Sequence, residues 1–443
     1  MASRWKLVLA AALYLTAAGC DAPAWSSSSS ALTHDSVLAK AGLANYWQLD
    51  LQLPPGEKIV KLILIEENLY CLTGSNWLLA VDAASGVRKW SRQVAEKGVK
   101  VFPPCHGTRV PVDANLPNVD KVRFPPLSAS LPARDLVLVN TPNCVMALDR
   151  MTGEEVRKIS FAQYQPGSFV ANTGGGCDGT FFYVGTANGD VKAIRINEGV
   201  VAWSYQAGSI MCASPQCLAV TGTSPRVYVA TGEGDYAILK SNSLLLVMWP
   251  MTGARRWHDM SGGVLATFHV DDRAAFIPCV NQRVYAFGLA GGEPLWRFTA
   301  KGQLLDDVQV SENSVFQYSR GDKLYALDVT TGKCRWSMRQ GRRVLADMPS
   351  NGVPTSYLVD DARNLLVVDE ILGKIRVTIP LTGVSLFADN TSAAAIYLGN
   401  AAGRLVCLRQ IGAEHLTPDM LKKAKAKAKA ETKAGAAKAE TKK

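Results

Sequence analysis

The sequence predicts an all-β fold, an eight-bladed β-propeller whose ring is closed by an N-terminal strand. Three observations predict it: a motif that recurs about every 40 residues, a column of apolar residues ten positions before it, and a strand near the N-terminus that no turn precedes. The motif is Ala-x-Asp-x-x-Thr/Ser-Gly-x-x-x-Trp. Its clearest copies span 80–90, 193–203, 286–296 and 326–336, and weaker copies span 147–157, 247–257 and 367–377. A period of this length, with strands and a turn in each copy, is typical of a propeller or a repeat array.

Each copy of the motif is expected to form two strands around a tight turn. In the turn, the Asp side chain caps its own backbone and the Gly accepts positive φ. The Trp that follows opens the next strand and is interpreted as packing between neighbouring blades, the alternative being a ring that stacks on a ligand. These tryptophans are Trp90, Trp203, Trp257, Trp296 and Trp336.

A second column of apolar residues, ten positions before the motif alanine, marks the preceding strand. It contains Tyr70, Val137, Tyr183, Phe276, Phe316 and Tyr357. Tyr228 is the expected equivalent in the fourth copy, where extra residues around 237–244 lengthen the strand connection. Each unit therefore has about four short strands, and since one such sheet cannot bury both its faces, the sheets must stack around a ring.

The ring is expected to close through the N-terminal strand. The eighth copy, 396–408, aligns Tyr397 and Cys407 with the repeat but ends near Gly412 with no Trp strand after it. Trp47 lies in a strand with no turn before it, and this strand is predicted to complete the last blade. Closure removes the exposed edges of an open sheet. The propeller is predicted to span residues 43–415.

Residues 1–19 indicate an export signal, with a basic start, a short apolar run and small residues before Cys20. The apolar run is too short to span a bilayer. The stretch Leu-Thr-Ala-Ala-Gly-Cys resembles the lipobox of bacterial lipoproteins, which implies cleavage before Cys20 and its acylation, for instance with palmitate; the alternative is an ordinary signal with a chance Cys. In enteric bacteria, a lipoprotein with Asp at the position of Asp21 is expected to stay on the inner membrane. Other lineages do not follow that rule, so outer versus inner membrane stays open. Residues 20–42 are interpreted as the lipidated Cys and a Ser-rich tether.

The formal charge of +10 is concentrated at the two ends of the chain. Nine Lys and two Glu in 421–443 contribute +7, and residues 1–19 contribute +2, so the rest of the chain is close to neutral. A near-neutral propeller gives no indication of a nucleic-acid surface. The Lys/Ala-rich tail, 416–443, cannot form a core. It is expected to be either a solvated extension or a segment that adheres to an anionic surface.

The residues that commonly carry chemistry form no recognisable constellation. The five His are scattered without metal-ligand spacing, and no Gly-x-Ser-x-Gly elbow or P-loop occurs. Gly174–Gly176, expected in the loop that enters the third blade, is a weak phosphate cradle because no helix follows it. Of the nine Cys beyond Cys20, Cys212 and Cys217 share an inter-blade loop and are the best candidate pair for a disulfide. No catalytic residue, cofactor or metal ligand is predicted.

A long proline-rich loop, 101–132, is predicted between the first two blades. It is too long for a plain connector and too rigid for a Gly/Ser tether. It is expected to be either a surface excursion packed on the propeller or a loop that docks a partner or caps the channel. In the second case Phe102 and Phe124 are candidate contact residues.

The repeat motif resembles that of PQQ-type (quinoprotein-like) propellers. Within that superfamily the whole plan resembles the BamB-type lipoproteins of the outer-membrane β-barrel assembly machinery, which share the lipobox, the short tether, the initial Trp strand and eight blades. The resemblance covers about 43–412. It implies a non-enzymatic scaffold, on the outer membrane and facing the periplasm, that docks to the barrel-assembly subunit through inter-blade loops.

Two departures from that family concern the docking loops. A Leu-Arg-Gly-Glu-Ser-Ala-Pro-like loop after the third blade corresponds here to Ser209–Pro215 (SIMCASP), which has no Arg. Paired Asp residues after the fourth blade correspond to Gly262–Phe268 (GGVLATF). The contact is therefore expected either to have been rebuilt with Ile210 and Met211 or to serve a different partner.

Two other functions remain open at this point. A PQQ-dependent dehydrogenase would need a Ca²⁺ site, a general-base Asp and, in many, a disulfide between adjacent Cys; no two Cys are adjacent here. The chain is also shorter than those enzymes. A propeller that binds polysaccharide or the cell wall is supported only by the tail and the aromatic loops.

Overall fold

The propeller predicted from the repeats is present in the structure, a computed structural model. It describes residues 32, 34–108, 135–164, 169–218, 225–240, 255–257, 260, 262–289, 291–348, 350, 352–391 and 393–421. These residues form eight four-stranded antiparallel sheets, which confirms the predicted all-β, eight-bladed architecture. Short helical turns occur at Asp35–Leu38 (α1), Ala39–Ala41 and Phe161–Tyr164. Among the described residues, no helix combines the length and apolar character needed to cross a membrane.

The blades follow the chain in order, each from its innermost to its outermost strand. Blade 1 consists of β2 (Ile59–Ile65), β3 (Asn68–Thr73), β4 (Trp77–Asp82) and β5 (Arg88–Gln93), and blade 2 of β6 (Cys105–Thr108), β7 (Asp135–Asn140), β8 (Cys144–Asp149) and β9 (Glu155–Ser160). Blade 3 consists of β10 (Ala171–Cys177), β11 (Phe181–Thr186), β12 (Asp190–Arg195) and β13 (Val200–Gln206), and blade 4 of β14 (Gln216–Leu218), β15 (Arg226–Ala230), β16 (Tyr236–Lys240) and β17 (Arg255–Trp257). Blade 5 consists of β18 (His269–Val270), β19 (Ala275–Cys279), β20 (Arg283–Phe287) and β21 (Pro294–Thr299), and blade 6 of β22 (Gln309–Val310), β23 (Ser314–Tyr318), β24 (Leu324–Asp328) and β25 (Cys334–Met338). Blade 7 consists of β26 (Arg343–Asp347), β27 (Thr355–Val359), β28 (Asn364–Asp369) and β29 (Ile375–Pro380), and blade 8 of β30 (Leu386–Ala388), β31 (Ile396–Gly399), β32 (Arg404–Gln410) and β1 (Leu43–Asp50).

The N-terminal strand closes the ring as predicted. β1 is antiparallel to β32 and forms the outer strand of blade 8. Trp47 lies opposite Cys407, the same register in which Trp90 lies opposite Ala80 in blade 1. The N-terminal strand therefore supplies the motif tryptophan that the eighth copy lacks.

The core of the propeller is divided into eight apolar clusters in the described part of the chain, one between each pair of neighbouring blades. The cluster between blades 8 and 1 combines Tyr397 and Cys407 with Leu69 and Val81, all at most 1 % exposed. Both faces of every sheet are thus covered by its neighbours, and no edge of the ring is left open.

The motif tryptophans join each blade to the next. The indole Nε1 donates to the backbone carbonyl of the residue after the motif Asp in the following blade. These bonds are Trp47 to Ala83 (3.1 Å), Trp90 to Arg150 (2.9 Å), Trp296 to Val329 (3.0 Å) and Trp336 to Glu370 (2.7 Å). These four tryptophans therefore pack between neighbouring blades, the first of the two interpretations given for the motif tryptophans. The strand of Trp257 is described but its side chain is not, and Trp203, 5 % exposed, packs in the cluster between blades 3 and 4.

The turn glycine has a second role besides its positive φ. A Cβ on Gly332, which has φ +67°, would lie 2.5 Å from Cδ2 of Trp296 in the preceding blade. Gly86 is in the same position against Trp47. The spacing of Gly and Trp in the motif thus reflects contact between successive blades as well as turn conformation.

The ring has two faces. The strands of each blade alternate in direction. The connections between the first and second strands and between the third and fourth strands therefore lie on the same face, which we call the turn face. The inter-blade loops lie on the other, here the loop face. The chain reaches the loop face at Leu32, which lies beside Gly383. It leaves the described region on the turn face, where Leu416 and Leu421, both 3 % exposed, pack between blades 8 and 1. The packed chain therefore runs from Leu32 to Leu421, beyond the boundaries predicted at residues 43 and 415. Leu32 and Leu38, predicted to be part of the tether, are buried between blades 7 and 8.

Blades 2 and 4 differ from the prediction. Cys105–Thr108 is the innermost strand of blade 2, so most of the proline-rich segment, residues 109–132, falls in the sequence between β6 and β7 and not between blades 1 and 2. The flanking prolines concealed this four-residue strand. In blade 4, Tyr228 pairs with Ile238, so residues 237–240 belong to the third strand and the extra residues follow it, between β16 and β17.

The glycine run 174–176 lies in the inner strand β10, not in a loop. A Cβ on Gly175 would overlap the ring of Phe182, and one on Gly176 would lie 2.5 Å from the carbonyl oxygen of Pro215. The glycines therefore allow the inner strand of blade 3 to approach its own second strand and the loop that leads into blade 4.

Candidate functional site

The loop face carries exposed apolar side chains in a turn of blade 1 and in the four inter-blade loops that follow. They are Trp77 (41 % exposed), Val99 (37 %), Val170 (38 %), Ile210 (45 %) and Leu265 (48 %). The last four lie one each in the inter-blade loops that lead into blades 2, 3, 4 and 5. We call these five side chains the loop-face patch. Of its five members, sequence analysis singled out Ile210 alone.

Backbone and side-chain hydrogen bonds connect the loops of this patch. Asn172 Nδ2, next to the loop of Val170, donates to the carbonyl of Met211 at 2.6 Å. The amide of Gly232 donates to the carbonyl of Ile210 at 2.8 Å, and the amide of Val264 to that of Thr231 at 3.0 Å. The loops are therefore fixed relative to one another, so a partner would meet a surface that is already ordered.

Trp77 and Val99 are joined by one asparagine. Asn76 Nδ2 donates to the carbonyls of Glu96 at 2.7 Å and Val99 at 2.8 Å, and Asn76 accepts from Val94. Asn76 has φ +63°, which places Trp77 at the start of its strand with the ring outward. A Gly-Ser-Asn-Trp turn was the available sequence signal for this residue.

The other candidate contact residues have different environments. Met211 is fully buried between blades 3 and 4, where it bridges to Thr231. Phe102 is 6 % exposed in the cluster between blades 2 and 3, with Lys100 Nζ 4.6 Å above its ring. Burial removes both from the contact surface; Met211 instead anchors the loop that presents Ile210. Phe124 lies outside the described residues, as does Cys20.

A polar cavity of about 420 Å³ occupies the centre of the ring, with Leu421 at its turn-face end. Its acidic and amide groups are held by neighbours. Asp307 accepts from the amide of Thr267 at 2.7 Å, and Asp389 forms a bidentate ion pair with Arg343. These groups tie the inner strands together.

A buried charged cluster lies between blades 1 and 2 on the turn face. Arg150 Nη1 is 3.0 Å from Glu66 Oε2 and 3.3 Å from Glu67 Oε1, and His106 Nδ1 is 3.0 Å from the same Glu66 oxygen. His106 Nε2 lies 2.8 Å from the hydroxyl of Tyr70, so we assign the Nδ1–H tautomer, which donates to Glu66 and accepts from Tyr70. Burial lowers the pKa of His106 and keeps its ring neutral.

Glu66, Glu67 and His106 are close enough to share a cation, with ligand atoms within 4.8 Å of one another. The guanidinium of Arg150 already bonds both carboxylates and supplies the positive charge. The arrangement is therefore an inter-blade ion-pair network. The sequence did not reveal it, because its members are up to 84 residues apart.

The cysteines do not pair as expected. The nine that the structure describes are all free thiols, and Cys212 and Cys217 form no disulfide. Cys217 is on the inner strand of blade 4, and its sulfur lies beside Gly176 in the glycine run of blade 3. Cys212 is in the loop before that strand, and its sulfur lies beside Gly232. Burial raises the pKa of Cys407, which is fully buried, to about 12, so that thiol is neutral and unreactive.

Comparisons with known proteins agree with this architecture. A family model described as "Outer membrane protein assembly factor BamB" matches residues 242–410. The crystal structure of BamB from Moraxella catarrhalis superposes with a TM-score of 0.55 at 14 % identity, over 84 % of this chain and 99 % of that one. The computationally designed Ika8 protein gives a TM-score of 0.53 at 10 % identity, over 81 % and 98 %. No curated protein matches the chain. At these identities the structural likeness shows the fold.

Proposed function

We propose that this chain, a PQQ-like β-propeller of the BamB type, is a non-enzymatic lipoprotein scaffold of the bacterial cell envelope. Its role would be in the assembly and insertion of outer-membrane β-barrel proteins. The barrel-assembly subunit, which carries POTRA domains in the family that this chain resembles, would dock on the loop-face patch. The observation that carries the proposal is the row of five exposed apolar side chains on consecutive, hydrogen-bonded loops.

The patch has the character of a protein interface. Its exposed side chains are a tryptophan and aliphatics, while charged residues such as Glu96, Lys97 and Lys100 lie beside them. Interfaces commonly combine an apolar centre with a polar rim, and tryptophan is enriched among the residues that dominate binding. Mixed charges at the rim favour a protein over a uniformly charged polymer.

Ile210 is the patch residue that best supports the correspondence with BamB-type docking loops. It lies in the stretch 209–215, which takes the place of the family's Arg-containing loop, and Met211 is buried directly behind it. An apolar contact from Ile210 would replace the missing Arg. The loop of Leu265 similarly takes the place of the paired Asp residues.

The proposed anchor is an acyl group on Cys20. Eleven residues separate Cys20 from Leu32, and such a segment can span at most about 40 Å. A blade of six or seven residues is only about 20 Å high. The tether could thus reach the membrane from either face. Outer-membrane attachment facing the periplasm is favoured, with the inner membrane open because of Asp21. Cys20→Ala should release a folded protein from membranes washed with about 0.5 M salt, which screens the attraction of the basic segment; if it remains bound under these conditions, lipidation at Cys20 is refuted.

The docking test is a pull-down of the tagged protein from native membranes in mild detergent, followed by mass spectrometry. We expect the wild type to recover the POTRA-containing subunit, and Ile210→Glu/Leu265→Glu to lose it. The matched control is Ile371→Thr/Leu372→Thr, which changes two exposed apolar residues on the turn face. Circular dichroism of all variants checks the fold.

Two results would contradict the proposal. One is recovery of cell-wall polymer or unrelated envelope enzymes without the barrel subunit, which would favour the polysaccharide-binding alternative. The other is equal recovery of the subunit by the wild type and the loop-face variant, which would place docking elsewhere on the propeller.

A further inference from the structure

We propose that the turn face binds the surface of an anionic lipid bilayer, so that the loop face points away from the membrane. This inference is independent of the docking proposal. It starts from exposed apolar residues at the outer turns of four consecutive blades, 7, 8, 1 and 2. They are Ile371 (61 % exposed), Leu372 (72 %), Ile411 (60 %), Val87 (61 %) and Met151 (61 %).

The turn of blade 7 departs from the repeat in a way that the fold does not require. At the position of Leu372 the motif has Ser or Thr, and the hydroxyls of Ser85 and Thr331 each donate to the motif Asp of their own turn at 2.9 Å. Leu372 gives up that bond and remains exposed. Ile371 stands where blade 6 has Thr330. Two adjacent aliphatic residues at the tip of a turn are costly in water and favourable in a bilayer interface.

Basic side chains flank these apolar tips. Arg88 follows Val87, and Lys374 lies two residues after Leu372; both are exposed. Lys333, at the turn of blade 6, is exposed as well. Apolar residues bordered by Lys and Arg are characteristic of surfaces that insert shallowly into anionic membranes.

The position of the lysine-rich segment provides an independent argument. The chain crosses the turn face from Gln410 to Leu421, held by the bond from the amide of Leu416 to the hydroxyl of Tyr46 (3.0 Å) and by the burial of Leu416 and Leu421. Met420, 39 % exposed, is beside this exit. The 22 residues that follow contain nine Lys and two Glu. A strongly positive segment therefore starts on the same face as the apolar tips.

The combination favours a bilayer over a soluble anionic polymer. A polymer would be attracted by the lysines but would gain nothing from Ile371 and Leu372. Near an anionic leaflet, each Lys adds attraction and each inserted aliphatic residue adds burial, and two weak signals together give stable attachment. The loop face has exposed apolar residues too, but the basic segment begins on the turn face, after Leu421.

The test uses the protein from Asp21 to Lys443, which lacks the predicted leader and acylation site, in co-sedimentation with vesicles. Vesicles of phosphatidylglycerol and phosphatidylcholine are compared with vesicles of phosphatidylcholine alone. We expect binding to the anionic vesicles only, weakened by 0.5 M salt because charges are screened. Ile371→Thr/Leu372→Thr, which introduces the residues of blade 6, removes two carbon atoms from each side chain. It should lower partitioning about tenfold if roughly half of these four carbons are buried in the bilayer.

The matched control is Ile210→Ser/Leu265→Ser, which removes as many exposed aliphatic residues from the loop face and should leave vesicle binding unchanged. Three results would overturn the proposal: no binding to anionic vesicles; equal binding by the wild type and the Thr-Thr variant, which would leave only charge attraction by the lysine-rich segment; or equal losses in both double variants. The Thr-Thr variant is expected to fold, since Thr at 372 can form the hydroxyl bond of the repeat.

Discussion

Replacing Gly332 by alanine tests how far the contact between each tryptophan and the next blade stabilises the ring. Gly332 has φ +67°, and a Cβ there would lie 2.5 Å from Cδ2 of Trp296. Trp296 also packs on Phe276 of its own blade, with ring centroids 5.8 Å apart, and donates to the carbonyl of Val329 at 3.0 Å. The substitution therefore strains the turn and displaces a side chain with contacts in two blades.

The two effects have separate magnitudes. A left-handed backbone costs alanine about 1–2 kcal/mol. Forcing a packed ring out of place costs about 1–3 kcal/mol, including its hydrogen bond. We expect Gly332→Ala to lower the free energy of unfolding by about 2–5 kcal/mol.

Gly412, which follows the third strand of blade 8, is a control. It has φ +77°, but a Cβ there would have no described heavy atom within 4 Å. Gly412→Ala should therefore lose only the backbone contribution, about 1–2 kcal/mol.

The assay is guanidinium unfolding followed by both circular dichroism and fluorescence, since coincident transitions are needed to convert midpoints into free energies. Equal destabilisation by the two alanine variants would refute the role assigned to Trp296. A further check is Gly332→Ala in a Trp296→Leu background, where its cost should fall to that of Gly412→Ala.

Three other predictions concern the buried groups. Arg150→Met should destabilise the protein by about 3–5 kcal/mol because it removes a buried guanidinium that bonds both Glu66 and Glu67. Arg92→Met, at an exposed ion pair, should cost less than about 1 kcal/mol by the same unfolding assay. The folded-state pKa of His106 is below its unfolded value, so protonation favours unfolding and stability should fall as the pH drops below about 6.5; His106→Gln should reduce that dependence, and an unchanged pH profile would contradict it. With N-ethylmaleimide, exposed Cys334 should react within minutes while buried Cys407 stays protected until unfolding, and mass spectrometry showing early modification of Cys407 would contradict its burial.

Sequence analysis could predict the architecture because the repeat encodes it in local residue types. An Asp that accepts two backbone amides, a Gly at positive φ and a Trp four residues later recur because each blade solves the same turn and packing problem. Asp328, for example, accepts from the amides of Thr330 at 3.1 Å and Thr331 at 2.9 Å. The odd Trp47, with no turn before it, was enough to predict ring closure.

Other features depended on tertiary contacts that spacing does not encode. The strand Cys105–Thr108 was hidden because prolines flank it and it is only four residues long. Met211 and Ile210 are both apolar loop residues, yet a single bridge to Thr231 turns one inward and leaves the other exposed.

The charged cluster could not be inferred because its members come from two blades. Glu66, in a turn of blade 1, bonds both His106 and Arg150 of blade 2. An isolated histidine and an isolated arginine in a repeat protein can therefore belong to one cluster through a carboxylate of the neighbouring blade.

The pairing of β1 with β32 sets an order on the maturation of this chain. β1 pairs only with β32, where Leu43 lies opposite Gln410, so β1 has no partner until β32 has been synthesised. The first strand of the propeller in the chain is therefore the last to be incorporated into the ring. Until then, a nearly complete ring has one gap, bordered by the unpaired edge of β32 and by the free strand. A circular permutant that joins Gln410 to Leu43 through a short turn and begins at blade 1 would convert this distant pairing into a hairpin, and would free ring closure from its dependence on the two ends meeting.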